Sequence, residues 1–264
     1  MTTLAGKVAL ISGGARGIGA ETARQMANAG AAVVIGDVLV EAARETAAAI
    51  EAAGGKALAV RLDVTGEADW NAAITTATGR FGKLDILVNN AGIFIGRDIE
   101  EATLDDWHKL VAVNMTGVFL GTKLAAPALR AAGETSAHGS AIVNLASVAG
   151  LVGSVGDPLY SMTKGGVTTF TKSAALSFAK KDYKIRVNSV HPGVIETDMG
   201  NTAIAKRMRV GGSNDQADFA KQLHPIGRMG QADDVAATIL FLASDDARFM
   251  TGSGLVVDGG FTAQ

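Results

Sequence analysis

Short runs rich in Val, Ile and Leu alternate along the chain with longer Ala-rich stretches whose apolar residues recur at helical spacing, the pattern of repeated strand–helix–strand units. Strands are expected over 8–12, 32–37, 57–62, 86–89, 141–145, 185–190 and 255–258. These runs are continuously apolar and do not alternate, as parallel strands covered on both faces must be. Helices are expected over 18–29, 40–53, 67–81, 104–131, 158–180 and 233–243. The prediction is a single α/β domain over 1–264, with one seven-stranded parallel sheet and helices on both faces. The stretch 191–230 offers no strand, is polar, and reads as an irregular substrate-binding lid.

Composition narrows the function. With 48% hydrophobic and 19% charged residues the chain can fill one large core. A net charge of −2 provides no electrostatic footprint for nucleic acid or an anionic membrane. There is no cysteine, which removes disulfides and thiolate chemistry, and the four histidines, His108, His138, His191 and His224, show no metal-ligand spacing. No metal is expected. The N-terminal residues lead straight into the first strand without the features of a signal peptide, and no apolar stretch approaches the length of a membrane span. A cytoplasmic protein is expected.

The first strand is followed by Ser12-Gly13-Gly14-Ala15-Arg16-Gly17-Ile18-Gly19 and then a helix. Glycines here let the backbone turn tightly and present helix N-terminal N–H groups to a phosphate. The spacing is neither G-x-G-x-x-G nor a P-loop, since Ala20-Glu21 stands where Lys-Ser/Thr would be needed. Asp37 closes the second strand, where a carboxylate accepts hydrogen bonds from both ribose hydroxyls of an adenosine and repels a 2′-phosphate. Arg16 pulls toward such a phosphate, but Val38 follows Asp37 where a second basic residue would strengthen that reading. NAD is therefore expected over NADP.

Further along, Tyr160-Ser161-Met162-Thr163-Lys164 sits on an expected helix, where positions i and i+4 share a face. A fixed cation beside a phenol favours the phenolate and brings a tyrosine into range as an acid and base. Ser147 could hold the oxygen of the reacting group. A Tyr and a Lys four apart also occur on many solvated helix faces, so the pair acquires meaning from what accompanies it.

That company is extensive. The glycine loop Gly13…Gly17-Ile18-Gly19, the turn Asn89-Asn90-Ala91-Gly92, Asn114, Ser147, Tyr160-x-x-x-Lys164 and Pro192-Gly193 stand in order and spacing similar to the short-chain dehydrogenase/reductase family, over essentially the whole chain. The resemblance implies a Rossmann-like doubly wound fold. It implies Tyr160 as general acid and base, Lys164 lowering its pKa and binding the nicotinamide ribose, Ser147 on the substrate oxygen, and Asn114 kinking its helix and holding a water of a proton relay. It further implies cofactor contacts from Asp63 and Val64 at the adenine, from Asn89, Ala91 and Gly92 on the adenosine side, and from Pro192, Gly193, Ile195 and Thr197 around the nicotinamide. His191 is read as packing.

The expected activity is hydride transfer between NAD and a hydrophobic, cyclic or steroid-like secondary alcohol or its ketone. Through Val190-His191-Pro192-Gly193 and the ending Val257-Asp258-Gly259-Gly260-Phe261-Thr262 the chain resembles bacterial hydroxysteroid and cyclic alcohol dehydrogenases. Residues free to choose substrate are Phe94, Ile95, the loop 148–157 with its Leu151, Val152 and Val155, and the segment from 195 to about 223 with Met199 near its start, with Arg207 and Arg209 as basic residues a lid could bring inward. Polyol or sugar oxidation, 3-hydroxyacyl thioester reduction and a non-catalytic dinucleotide sensor are the alternatives. The resemblance also implies a homotetramer.

Overall fold

Leu10 and Ile11 are neighbours on one strand, and both are inaccessible to solvent while facing opposite sides of a sheet. The same alternation recurs at Val34 and Ile35, Leu87 and Val88, and Ile142 and Val143, so the continuous apolar runs supply two cores at once. Each fully buried side chain of this kind contributes roughly 1.5–3 kcal/mol of transfer free energy. The computed structural model describes residues 2–154, 156–211, 219 and 222–264, without the side chains of 207 and 209–211.

The strands are β1 (Val8–Ser12), β2 (Ala32–Asp37), β3 (Lys56–Arg61), β4 (Ile86–Asn89), β5 (Ser140–Leu145), β6 (Ile185–Pro192) and β7 (Gly254–Val257). They form one parallel sheet in the order β3-β2-β1-β4-β5-β6-β7. Helices α1 (Gly17–Asn28), α2 (Val40–Ala52) and α8 (Ala232–Ala243) enclose one core; α3 (Glu67–Phe81), α5 (Gly117–Glu134) and α6 (Pro158–Lys180) enclose the other. Strand order reverses between β1 and β4, and in such sheets ligands bind outside the carboxyl ends of the strands at that point.

Three expectations need correction. The helix foreseen over 104–131 is α4 (Leu104–Val111), then a five-residue π turn (Ala112–Thr116), then α5. Residues Leu104–Glu134 are in fact long and apolar enough to cross a membrane by length and composition, but half of the most apolar window is buried, as in a core helix. Among the described residues, the segment 191–230 is also not wholly irregular. β6 continues to Pro192 because β7 pairs with it as far as Val257, Ile195 bridges to Gly230, and α7 (Asp198–Gly211) follows.

Candidate active site

A row of paired residues, Gly36, Ser12, Asn89, Asn144 and Ser189, runs across the carboxyl side of the sheet. Ser12 Oγ accepts the backbone N–H groups of Asn90 and Ala91 at 3.1 and 3.2 Å. In return, Asn90 Nδ2 donates to the carbonyls of Ser12 and Gly13 at 3.1 and 2.7 Å. The glycine loop is thus tied to the turn after β4. Gly13 is needed there twice over: its φ is +65°, and a Cβ would lie 2.7 Å from Ala91 Cα.

Above this floor opens a cleft of about 570 Å³. Gly17, Ile18 and Gly19 bring the start of α1 to its wall, and Arg16 at the N-cap makes no side-chain cap. The first-turn N–H groups, with the positive end of the helix dipole, therefore point at an anion's place. Asp37 also lines the cleft, its oxygens accepting from Ala15 N–H at 3.0 Å and Leu39 N–H at 2.9 Å. A carboxylate has about four acceptor positions, so two remain for hydroxyls. Asp63, Val64, Ala91 and Gly92 complete this end. Hydrogen bonds from the Thr65 side chain and backbone hold the Asp63 carboxyl below its usual range. Arg16 reaches across the mouth to Asp198 at 2.6 Å, and both are exposed. An uncapped helix start, a close backbone turn and a carboxylate with acceptor positions to spare in one cleft fit a dinucleotide.

At the other end Ser147, Tyr160 and Lys164 line one wall. Asp157 caps α6 by accepting Tyr160 N–H at 2.9 Å, and Pro158 follows it in the first turn. Ser147 caps the 3₁₀ turn Val148–Gly150, its Oγ accepting Ala149 N–H at 3.1 Å. This leaves its own proton to donate. A Cβ on Gly150 would lie 2.6 Å from the carbonyl carbon of Lys164, so only glycine lets the turn rest on α6 there and bring Ser147 to the tyrosine helix. Lys164 is buried, donates from Nζ to Leu145 O at 2.7 Å and lies 5.7 Å from the Tyr160 ring centroid. Burial pulls its pKa down to about 8.

Pro192, Gly193, Ile195 and Thr197 form the wall below α7. Thr197 Oγ1 accepts Gly200 N–H at 3.2 Å, and His224 Nε2 accepts Val194 N–H at 3.2 Å, which fixes the chain between β6 and α7.

Two expected site residues lie off the wall. Asn89 is buried beneath it, donating from Nδ2 to Thr122 Oγ1 at 3.2 Å and Asn144 Oδ1 at 2.8 Å. Its neighbour Asn90 faces the cleft instead, because successive residues leaving a strand point to opposite sides. Asn114 sits in the π turn, fully buried, accepting Ile93 N–H at 2.8 Å and donating to Ile93 O at 3.0 Å and Thr163 Oγ1 at 3.2 Å. In this arrangement it orients the residues after β4 and does not touch the cleft. Of the expected substrate-choosing residues, Phe94 and Met199 line the cleft. Val155, 212–218, 220, 221 and the side chains of Arg207 and Arg209 lie outside the described residues. The capping role of Asp157, which the sequence offered only as the end of the loop 148–157, escaped notice, although Asp before Pro at a helix start was its signal.

Comparison with known proteins agrees with this geometry. Residues 13–262 match a family model described as enoyl-(acyl carrier protein) reductase. The chain is 44% identical to a trans-4-hydroxycyclohexanecarboxylate dehydrogenase of Sinomonas cyclohexanicum, over 98% of this chain and 94% of that protein. It is also 44% identical to a cyclohexanol dehydrogenase of an Acinetobacter species, over 98% and 96% of the two chains. A crystal structure of a short-chain type dehydrogenase/reductase from Mycobacterium marinum superposes with a TM-score of 0.87 at 34% identity, covering 99% of this chain and 98% of the other. With matches of this extent in sequence and in fold, the chain belongs to the short-chain dehydrogenase/reductase family and is an oxidoreductase.

Proposed function

We propose that this protein uses NAD to interconvert an uncharged, hydrophobic, cyclic secondary alcohol and its ketone. The observation that carries the reading is the convergence of Ser147, Tyr160 and Lys164 on one wall of the cleft that also holds the α1 N-terminus and Asp37. The glycine loop would hold the pyrophosphate, Asp37 the adenosine ribose, Asp63 and Val64 the adenine, and Lys164 the second ribose. When bound, the nicotinamide supplies or accepts the hydride.

The protein's own part is orientation and proton transfer. Ser147 donates a hydrogen bond to the substrate oxygen, where negative charge grows during carbonyl reduction. Tyr160 gives that oxygen its proton, and in alcohol oxidation takes the proton away. Lys164 favours the phenolate, and Asn114 holds the turn beneath them.

Substrate choice rests on Ile93, Phe94, Val113, Val148, Met199 and Ala203, all cleft-lining and apolar. Such a wall favours an uncharged ring. Both relatives' names specify an alcohol on a cyclohexane ring, which supports the cyclic class; the uncharged part of the reading is supported by the cyclohexanol relative and by the apolar wall, since the other relative's name specifies a carboxylate. The segment 191–230 acts as the lid over it. We place the enzyme in the cytoplasm as a homotetramer. The test is an NAD-coupled screen of cyclic alcohols, hydroxysteroids, aryl-alkyl carbinols, polyols and 3-hydroxyacyl thioesters. Turnover of cyclic alcohols is expected; turnover of polyols or thioesters alone would overturn the substrate class.

A further inference from the structure

We infer that Lys206 is a positioning residue through which α7 sets the substrate wall formed by Phe94. The inference deepens the dehydrogenase reading and rests on it for its kinetic test. Lys206 is a half-buried lysine on the helix above the cleft, and its Nζ donates to the backbone carbonyls of both Ile95 and Gly96. Hydrogen bonds from an ammonium are about twice as strong as neutral ones. Two adjacent carbonyls can turn toward one cation here because Gly96 has a φ of +70°. The approach leaves no space for a side chain, since a Cβ on Gly96 would collide with Lys206 Cδ and lie 2.7 Å from Phe94 Cε1.

The loop gripped from above by Lys206 is gripped from below by the catalytic helix. Gly96 N–H donates to Asp157 Oδ2 at 2.6 Å, and Asp157 Oδ1 accepts Tyr160 N–H at 2.9 Å. Asp157 is 1% exposed, so water does not compete for these bonds. Two residues before Gly96, the Phe94 ring meets the Tyr160 ring edge-to-face, with centroids 5.4 Å apart and an 81° angle between planes. The position of α7, the wall at Phe94 and the start of the Tyr160 helix are therefore mechanically one unit, with Gly96 at its centre. Lys206 itself is held by carbonyls behind the wall and is not an anion receptor.

Lys206→Met keeps the length of the side chain and removes its donors. With cyclohexanol as the probe, KM should rise about tenfold with a smaller change in kcat, while the Kd of NADH, read by fluorescence, stays within about twofold. Lys206→Arg should restore most of the loss. Gly96→Ala should act in the same direction, and the Lys206→Met/Gly96→Ala protein should be little worse than either alone, because both changes release the same loop. Hydrogen exchange over residues 93–97 should quicken in Lys206→Met, a readout that needs no turnover. Unchanged KM and unchanged exchange in Lys206→Met would overturn the inference, as would KM and NADH affinity weakening together. If the wild-type protein fails to oxidise any alcohol, the dehydrogenase reading fails and the exchange experiment still decides the role of Lys206.

Discussion

Lys164 Nζ donates to the carbonyl oxygen of Leu145 at 2.7 Å, so the ammonium beside Tyr160 is anchored to the carboxyl end of β5. That anchor fixes the charge where the phenolate needs it, while burial opposes the charge and lowers the lysine pKa to about 8. Lys164 Nζ lies 5.7 Å from the Tyr160 ring centroid, near enough that a proton lost there is read as a property of the site and not of one residue. Burial lowers the Lys164 ammonium from 10.5 to about 8, which brings the first deprotonation of the site down toward that pH. Alcohol oxidation, which needs the deprotonated pair, should climb with pH through about 8, and ketone reduction should fall over the same window. Rate profiles in both directions check this; parallel profiles would contradict it.

Tyr160→Phe keeps the ring against Phe94 and removes the proton that is transferred. Turnover should fall roughly 10² to 10⁴-fold, the usual worth of a general acid or base, with NADH binding nearly intact. Steady-state kinetics with fluorescence titration separate the two, and near-normal kcat would exclude Tyr160 from the chemistry.

Cofactor choice turns on Asp37. The carboxylate is 8% exposed, already organises Ala15 and Leu39, and is followed by Val38, which is apolar and exposed, where no cation can pair with a phosphate. Arg16, the residue that could do so, is engaged by Asp198. The kcat/KM should be higher for NAD than for NADP, and Asp37→Asn should lower the NAD value about tenfold while narrowing the gap to NADP. An NADP preference in the wild-type protein would reverse the assignment.

The strands β1, β2 and β4 were legible to the residue because both of their faces are buried and polar or glycine residues end the apolar run. The edge strand β3 runs one residue earlier than its composition suggests. Its ends, Lys56 and Arg61, are exposed, and only the register Ala32 with Lys56 to Asp37 with Arg61 defines them. The start of α7 was hidden because polar residues read as a loop until the Ile195–Gly230 bridge carries the chain across the cleft. Ser147, Tyr160 and Lys164 could be read from type and spacing. Lys206 could not, nor could the second bond of Asp157, since both lead to Gly96, a distant residue in sequence. The choice between Asn89 and Asn90 needed the pleat of β4.

Assembly can be tested through the surface. Phe119 and Leu176 are exposed on α5 and α6, and Phe249 and Val256 near the C-terminus, two sets of apolar residues for two kinds of contact. Sedimentation at micromolar concentration should give a tetramer, and Leu176→Glu should dissociate it to smaller species. A stable wild-type monomer would reject the assembly.

His191 makes acid sensitivity predictable. Its Nδ1 lies 3.3 Å from the carbonyl oxygen of Ser147, which can only accept, so that nitrogen carries the proton; Nε2, 2.9 Å from Ser189 Oγ, accepts from the hydroxyl. One neutral tautomer thus satisfies both partners. Burial holds the pKa below 6.5, with Lys164 and Lys172 adding to the effect and the Ser147 bond opposing it. Above 6.5 the histidine is neutral folded or unfolded and contributes no pH dependence. As pH falls below that value the unfolded chain takes up a proton that the folded one refuses, so stability is lost down to the folded pKa, by about 1.4 kcal/mol for each pH unit that separates the folded and unfolded values. Urea unfolding at a series of pH values from neutral downward should show this loss. His191→Asn should be less stable at neutral pH yet lose less on acidification, and an equal slope in the two proteins would show that the acid response comes from elsewhere.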